Sequence, residues 1–477
     1  MQVVLLSSSM ERTFDCINLD YEKNSKIIII YARKHIHVID SFEHFKIHQN
    51  MAMLLQARRV LTQTLPRYNS KSPQTFVKLL GSTHSLHDNV TKSKLFNPNE
   101  TSGKVITCNA AIIRGPKQPF LIETIRVDPP KKMEVRIKIL YTSICQTDLS
   151  AWKGENEAQQ AFPRILGHEA VGLVESVGEG VTDVKAGDHV IPFFNGECGH
   201  CSYCKTKTSN LCQTYRVNPF KSVMEHDGKS RFSTKDGEPI FHFLNTSTFT
   251  EYTVLDSACV VKIDPNAPLK KMTLLSCGIS TGMGAAWNTA NVQPGSSVAI
   301  FGLGTVGLAA SEGARARGAS KIIGVDTNPE KFNKARAMGM TGFVNPKDGS
   351  KPVHQRIREM TGGGVDYSIE CVGDLKVLRE AFLSTHDGWG KTVMVGIYPT
   401  PEMLPLHPME LFDGRSIIGT IFGDFKGKSQ LPELANACMN GLVNLDGFIT
   451  HELLFEKINE AFKLLSDGKA LRCLLHV

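Results

Sequence analysis

"SSVAIFGLGTVGLAASEGARARGASKIIGVD", residues 296–326, decides the fold of the larger part of this chain. An apolar run (298–301) leads into Gly302, Gly304 and Gly307, spaced G-x-G-x-x-G, and a second apolar run ends on Asp326. The spacing alone is a weak signal. Between a strand and a helix, with an acidic residue closing the next strand, it meets the requirements of a dinucleotide-binding turn. The first glycine permits the tight turn, and the second lets the backbone approach a pyrophosphate. The third lets the helix pack on the sheet with its positive end toward the phosphates. Asp326 would accept hydrogen bonds from ribose hydroxyls and repel a 2′-phosphate, so the pattern predicts NAD rather than NADP.

C-terminal to this stretch the alternation continues. "NPEKFNKARAMG" (328–339) and "KVLREAFLST" (376–385) read as helices, "VDYSIECVG" (365–373) and "KTVMVGI" (391–397) as strands. Such a series predicts an α/β unit with a doubly wound parallel sheet. On the other side the texture is β-rich to about Cys277, with "KVITCNAAIIR" (104–114), "EVRIKILYTSIC" (134–145), "AVGLVESVGEGV" (170–181) and "GDHVIPFF" (187–194) as short strands. The last fifty residues are mixed and include the helix pattern "FEKINEAFKLLSDGK" (455–469).

Residues 1–100 differ. They hold six of the sixteen histidines, one glycine, and thirteen Lys and Arg against eight Asp and Glu, out of a total net charge of +7. They read as a poorly structured extension. "MAMLLQARRVLTQTLPRYNSKS" (51–72) has the makings of a basic amphipathic helix, but it follows Glu11, Asp15, Asp20 and Glu22, which argues against an import signal. The remaining body is nearly neutral, so no nucleic-acid footprint is expected. "KIIIIYA" (26–32) is far too short to span a membrane. A reducing, cytoplasmic setting follows, in which cysteines serve as metal ligands or core residues rather than in disulfides.

Four of the twelve cysteines sit in "GECGHCSYCKTKTSNLC" (196–212). Four thiolates around zinc leave no open position, so Cys198, Cys201, Cys204 and Cys212 predict a structural site, with Lys205 and Lys207 offsetting its charge. Reactive candidates lie in "SICQTD" (Cys145, Thr147, Asp148), "LGHEAVG" (His168, Glu169) and "LLSCGISTG" (Cys277). Two cysteines and a histidine from separate segments can make a three-ligand zinc site with one position open.

Together with "ILGHEAVGLVESVGEGV" (165–181), "GKSRF" (228–232) and the glycine loop, these residues resemble the zinc-dependent medium-chain alcohol dehydrogenases, most closely their plant alcohol dehydrogenase-like members. The resemblance covers about residues 101–477. It implies a GroES-like catalytic domain (101–278 and 422–477) split by a Rossmann domain (279–421), with two zinc ions, NAD, an alcohol or aldehyde substrate and a homodimer. It places Cys145, His168 and Cys277 on the catalytic zinc, with Glu169 behind it and Asp148 orienting His168. Thr147 takes the alcohol proton, and Phe194, Phe243 and Leu244 line the substrate channel. Lys331, Arg472 and Thr281 touch the cofactor. Ser150 stands where some relatives carry a histidine at the end of the proton relay, and Gln146 where others carry a cation. Arg216 resembles an anion-binding arginine of the glutathione-dependent formaldehyde dehydrogenases, the rival reading, but plant ethanol-type members share it, and Glu155 and Asn156 match the acidic loop of that class only incompletely; a silent zinc- and NAD-binding protein is the second alternative.

Overall fold

The computed structural model describes residues 3–5, 15–21, 25–32, 35–39 and 98–477, apart from 156–159 and 399–400. The chain divides into two units, Met1–Lys94 and Leu95–Val477. In the first, Val3–Leu5, Asp15–Tyr21, Ser25–Ala32 and His35–Ile39 pair antiparallel in chain order. The isoleucine run at 27–30 lies in the third of these strands, as its β-branched residues favour. The basic stretch 51–72 lies outside the described residues.

The second unit contains the expected parallel sheet, which has six strands. Its strands are Ser297–Phe301, Lys321–Val325, Gly342–Val344, Tyr367–Glu370, Lys391–Met394 and Ser416–Gly419. Taken in chain order as first to sixth, they lie 3-2-1-4-5-6 across the sheet, all parallel. Strand order therefore reverses between Ser297–Phe301 and Tyr367–Glu370, and a ligand crevice opens above the carboxyl ends of that pair. After their first residues, Ser297 and Lys321, the central strands are apolar and buried, as helix-covered faces require.

The β-rich part is built on the long strand Glu134–Ser143, which pairs antiparallel with Glu169–Val177, Tyr252–Asp256 and Arg472–His476. A second antiparallel sheet runs through Ile106–Ile113 and Leu121–Val127. Register matters here. Ser143 faces Glu169 on one side and Leu474 on the other, so the ends of three strands meet at one point. Among the described residues no helix is long and apolar enough to cross a membrane.

Candidate active site

That meeting point gathers the reactive candidates. Cys145 follows the strand Glu134–Ser143, His168 precedes Glu169–Val177, and Cys277 lies between the short helical turns Thr273–Ser276 and Gly278–Gly284. Ligand atoms of Cys145, His168, Glu169 and Cys277 all fall within 4.8 Å of one another, and all four residues are buried. Asp148 fixes two of them at once. Its Oδ1 lies 2.9 Å from His168 Nδ1, and its Oδ2 accepts the Cys145 N–H at 2.9 Å. His168 Nε2 is then left buried with no hydrogen-bond partner. A buried imidazole nitrogen without a partner is costly unless something binds it, and a zinc ion held with the two sulfurs fits that need.

Electrostatics agrees. The Cys277 thiol, hydrogen-bonded to Cys145, holds the Cys145 thiol well below its usual range, with the Arg472 guanidinium and His168 adding to the effect. The same shared proton, with burial, pushes Cys277 up. Burial works against charging His168, but Asp148 and the Cys145 sulfur outweigh it and raise its proton affinity. The cluster thus holds protons that a bound cation would displace.

Glu169 is held in place by Arg472. Arg472 Nε and one terminal nitrogen donate to its two oxygens at 2.8 and 2.9 Å, while the Ser143 hydroxyl donates at 2.5 Å and the Gly278 N–H at 3.1 Å. The other terminal nitrogen of Arg472 donates to Thr305 Oγ1 at 2.9 Å. Thr305 opens the helix Thr305–Ala316 behind the glycine loop. Arg472 therefore ties the ligand cluster to the start of the nucleotide helix.

In the glycine loop, Gly302 has φ 90°, which favours glycine, and a Cβ on Gly307 would lie 1.9 Å from the Gly302 carbonyl oxygen. A Cβ on Gly304 would meet nothing within 4 Å, so that position faces open space, the face a pyrophosphate would approach. Asp326 accepts the Leu303 N–H at 2.8 Å and the Asn328 N–H at 2.9 Å, and Lys331 Nζ lies 2.9 Å from it. Thr281 is half-buried one turn beyond Cys277, to whose carbonyl it donates at 2.9 Å.

Phe194 and Phe243 stand roughly perpendicular to the His168 ring, at 5.9 and 6.1 Å between centroids, and Leu244 follows in a tight turn. Thr147 Oγ1 is 4.0 Å from Cys145 Sγ, and Ser150 is half-buried on the same short helix, Gln146–Lys153. Gln146 and Arg216 are exposed. Glu155 is exposed 3.5 Å from Lys153, and Asn156 lies outside the described residues.

The second cysteine group also assembles, its four sulfurs within 4.8 Å of one another. Here the sulfurs accept backbone N–H groups, Cys201 to Cys198 at 3.4 Å, Cys204 to Cys201 at 3.3 Å and Tyr215 to Cys212 at 3.4 Å. A backbone N–H from Gln213 brings the Cys201 thiol down to about 6, while burial pushes Cys204 up to about 12. Lys205 and Lys207 are exposed. The cation that reaches this lobe is Lys426, which donates to the carbonyl oxygens of Cys204 and Thr206. Glu197 accepts the N–H groups of Lys428 and Ser429 at 2.9 and 3.0 Å.

One group escaped the sequence reading. Glu370, buried at the carboxyl end of its strand, accepts the Val372 and Gly373 N–H groups at 2.6 and 2.8 Å and the Tyr398 hydroxyl at 2.8 Å. Burial pushes its carboxyl up. It joins the two strand-end loops that border the crevice, where Val372 and Ile397 are exposed. A charged residue ending an apolar strand was the available signal.

Residues 131–265 match the alcohol dehydrogenase GroES-like domain, and residues 305–439 match the zinc-binding dehydrogenase family. The chain is 70% identical over 386 residues to alcohol dehydrogenase-like 3 of Arabidopsis thaliana, covering 79% of this chain and 98% of that one. It is 54% identical over 378 residues to alcohol dehydrogenase 1 of Petunia hybrida, covering 79% and 98%. Among solved structures, benzyl alcohol dehydrogenase from Acinetobacter calcoaceticus superposes with a TM-score of 0.72 at 28% identity, covering 78% of this chain and 99% of that one.

Proposed function

The chain belongs to the zinc-dependent alcohol dehydrogenase family, and on that premise we propose that it oxidises primary or secondary alcohols reversibly with NAD, at a zinc held by Cys145, His168 and Cys277. It is a zinc-binding oxidoreductase that interconverts small alcohols and aldehydes or ketones. The observation that carries the proposal is the partnerless His168 Nε2, buried beside two sulfurs, one of which, Cys145 Sγ, accepts from Arg472, the residue that also reaches Thr305 at the start of the glycine-loop helix. When bound, zinc supplies a Lewis acid for the alcohol oxygen and the nicotinamide supplies the hydride acceptor.

The residues of the chain do the rest. Asp148 fixes the ring of His168 and so the direction of Nε2. Phe194, Phe243 and Leu244 exclude water from the substrate side. Thr147, beside Cys145, receives the alcohol proton and passes it outward. Ser150 cannot titrate near neutral pH, so the proton leaves to solvent rather than to a base at that position. Asp326 disfavours a 2′-phosphate, which makes NAD the preferred cofactor, and Lys331 and Thr281 flank its path. Arg472 engages both oxygens of Glu169, so Cys145, His168 and Cys277 are the residues that would hold the metal.

A second zinc on Cys198, Cys201, Cys204 and Cys212 holds a lobe in shape. The domain division expected from sequence, 101–278 with 422–477 around 279–421, suits the sheets described above. A cytoplasmic homodimer completes the reading. Apolar Leu411, Phe412 and Ile418, exposed on and beside the edge strand Ser416–Gly419, support pairing there.

The test is NADH formation by the purified protein with short, branched and aromatic alcohols, alongside formaldehyde with and without glutathione. Alcohol-dependent NADH formation, with NADP a poor substitute, is expected. No turnover of any alcohol would overturn the reading. Turnover confined to formaldehyde plus glutathione would replace it with the one Arg216 suggests.

A further inference from the structure

The turn after Phe243 holds three residues other than glycine in the left-handed region: Leu244 (φ 46°), Asn245 (60°) and Ser247 (51°). Leucine seldom adopts that backbone, so the surroundings must hold it there. Two sets of contacts do so. On one side Thr246 donates its hydroxyl and Thr248 its N–H to the carbonyl of Gly167, at 3.1 and 3.0 Å, next to the ligand His168. Within the turn, the Phe243 N–H donates to Ser247 Oγ at 2.7 Å. On the other side Asn245 crosses to Phe194: its Nδ2 donates to the Phe194 carbonyl at 3.0 Å and to that of Tyr215 at 3.4 Å.

Few side chains meet both demands at position 245. The backbone asks for a residue that tolerates positive φ, which asparagine does better than most. The gap to Phe194 and Tyr215 asks for an N–H donor with two hydrogens, which its amide carries. We propose that Asn245 is a specificity-determining positioning residue, a clasp that fixes the spacing between Phe194 and the Phe243–Leu244 wall and so the width of the alcohol channel. The inference rests on the reading of that channel given above.

Substitution separates the clasp from the backbone. Asn245→Gly keeps the left-handed conformation and removes only the amide. The ratio of kcat/KM for a short straight alcohol to that for a branched or ring alcohol should then fall by roughly three- to tenfold, the range expected for one or two net hydrogen bonds. The KM for NAD should stay put. Asn245→Asp tolerates the same backbone but offers only acceptors at neutral pH, and it should move the ratio the same way; it carries the test if Asn245→Gly does not accumulate folded. An unchanged ratio in a folded variant overturns the clasp, as does a rise in the KM for NAD that matches the change for every alcohol. A wild-type protein inactive on all alcohols overturns the functional reading and the clasp with it.

Discussion

The molecule carries two sulfur-rich centres, one of two cysteines and a histidine and the other of four cysteines, surrounded in opposite ways. At Cys145, His168 and Cys277 every ligand is buried, one imidazole nitrogen has no partner, and the neighbouring charges are Asp148, Glu169 and Arg472. At the lobe, three of the four cysteines are only half-buried and the sulfurs are satisfied by their own backbone. The first centre is organised by side chains from distant segments and left incomplete. The second is organised locally and closed. On the proposed reading each centre would hold a metal, and the surroundings would decide whether that ion can also take a substrate.

Four substitutions probe that difference, in falling order of effect on turnover. Asp148→Asn should leave His168 poorly oriented and lower zinc affinity or turnover by about 10- to 100-fold, the usual consequence of losing a carboxylate behind a ligating histidine; metal content and steady-state rates check it. If turnover and metal content are both unchanged, side chains behind the buried centre matter no more than those at the lobe. Glu370→Gln and Tyr398→Phe should each raise the KM for NAD by about three- to tenfold with kcat nearly kept, because they loosen crevice loops rather than ligands. A matching fall in kcat would place Glu370 with the buried centre instead. Lys426→Met should lower the melting temperature by a few degrees, roughly what losing a charged hydrogen bond costs, and change turnover by less than about twofold. A large loss of turnover with the melting point intact would mean that the lobe takes part in chemistry.

What could be read beforehand follows how local each feature is. The glycine loop, Asp326 and the lobe cysteines declare themselves within thirty residues, since spacing alone brings them together. The β-strand/helix alternation likewise fixes the parallel sheet, whose strand order the structure supplies. Arg472 was read only as a cofactor contact; its pairing with Glu169, 303 residues earlier in the chain, depends on strand register that no pattern in the sequence displays. Lys426 was missed for the same reason, while Lys205 and Lys207, adjacent in sequence, point to solvent. Asn245 and Tyr398 look like ordinary loop residues until their partners, 51 and 28 residues away, are in place.

The division of labour between the centres is tested most directly by one paired measurement: zinc per chain and alcohol-dependent NADH formation on the same preparations of wild type, Cys277→Ala and Cys201→Ser. Wild type should hold about two zinc ions. Cys277→Ala should keep the lobe zinc and its fold while losing turnover by at least roughly a thousandfold. Cys201→Ser should lose the lobe zinc and much of its solubility, yet the folded fraction should turn over alcohol at nearly the wild-type rate per buried zinc. Equal losses of turnover per folded chain in the two variants, or an active Cys277→Ala, would contradict the account.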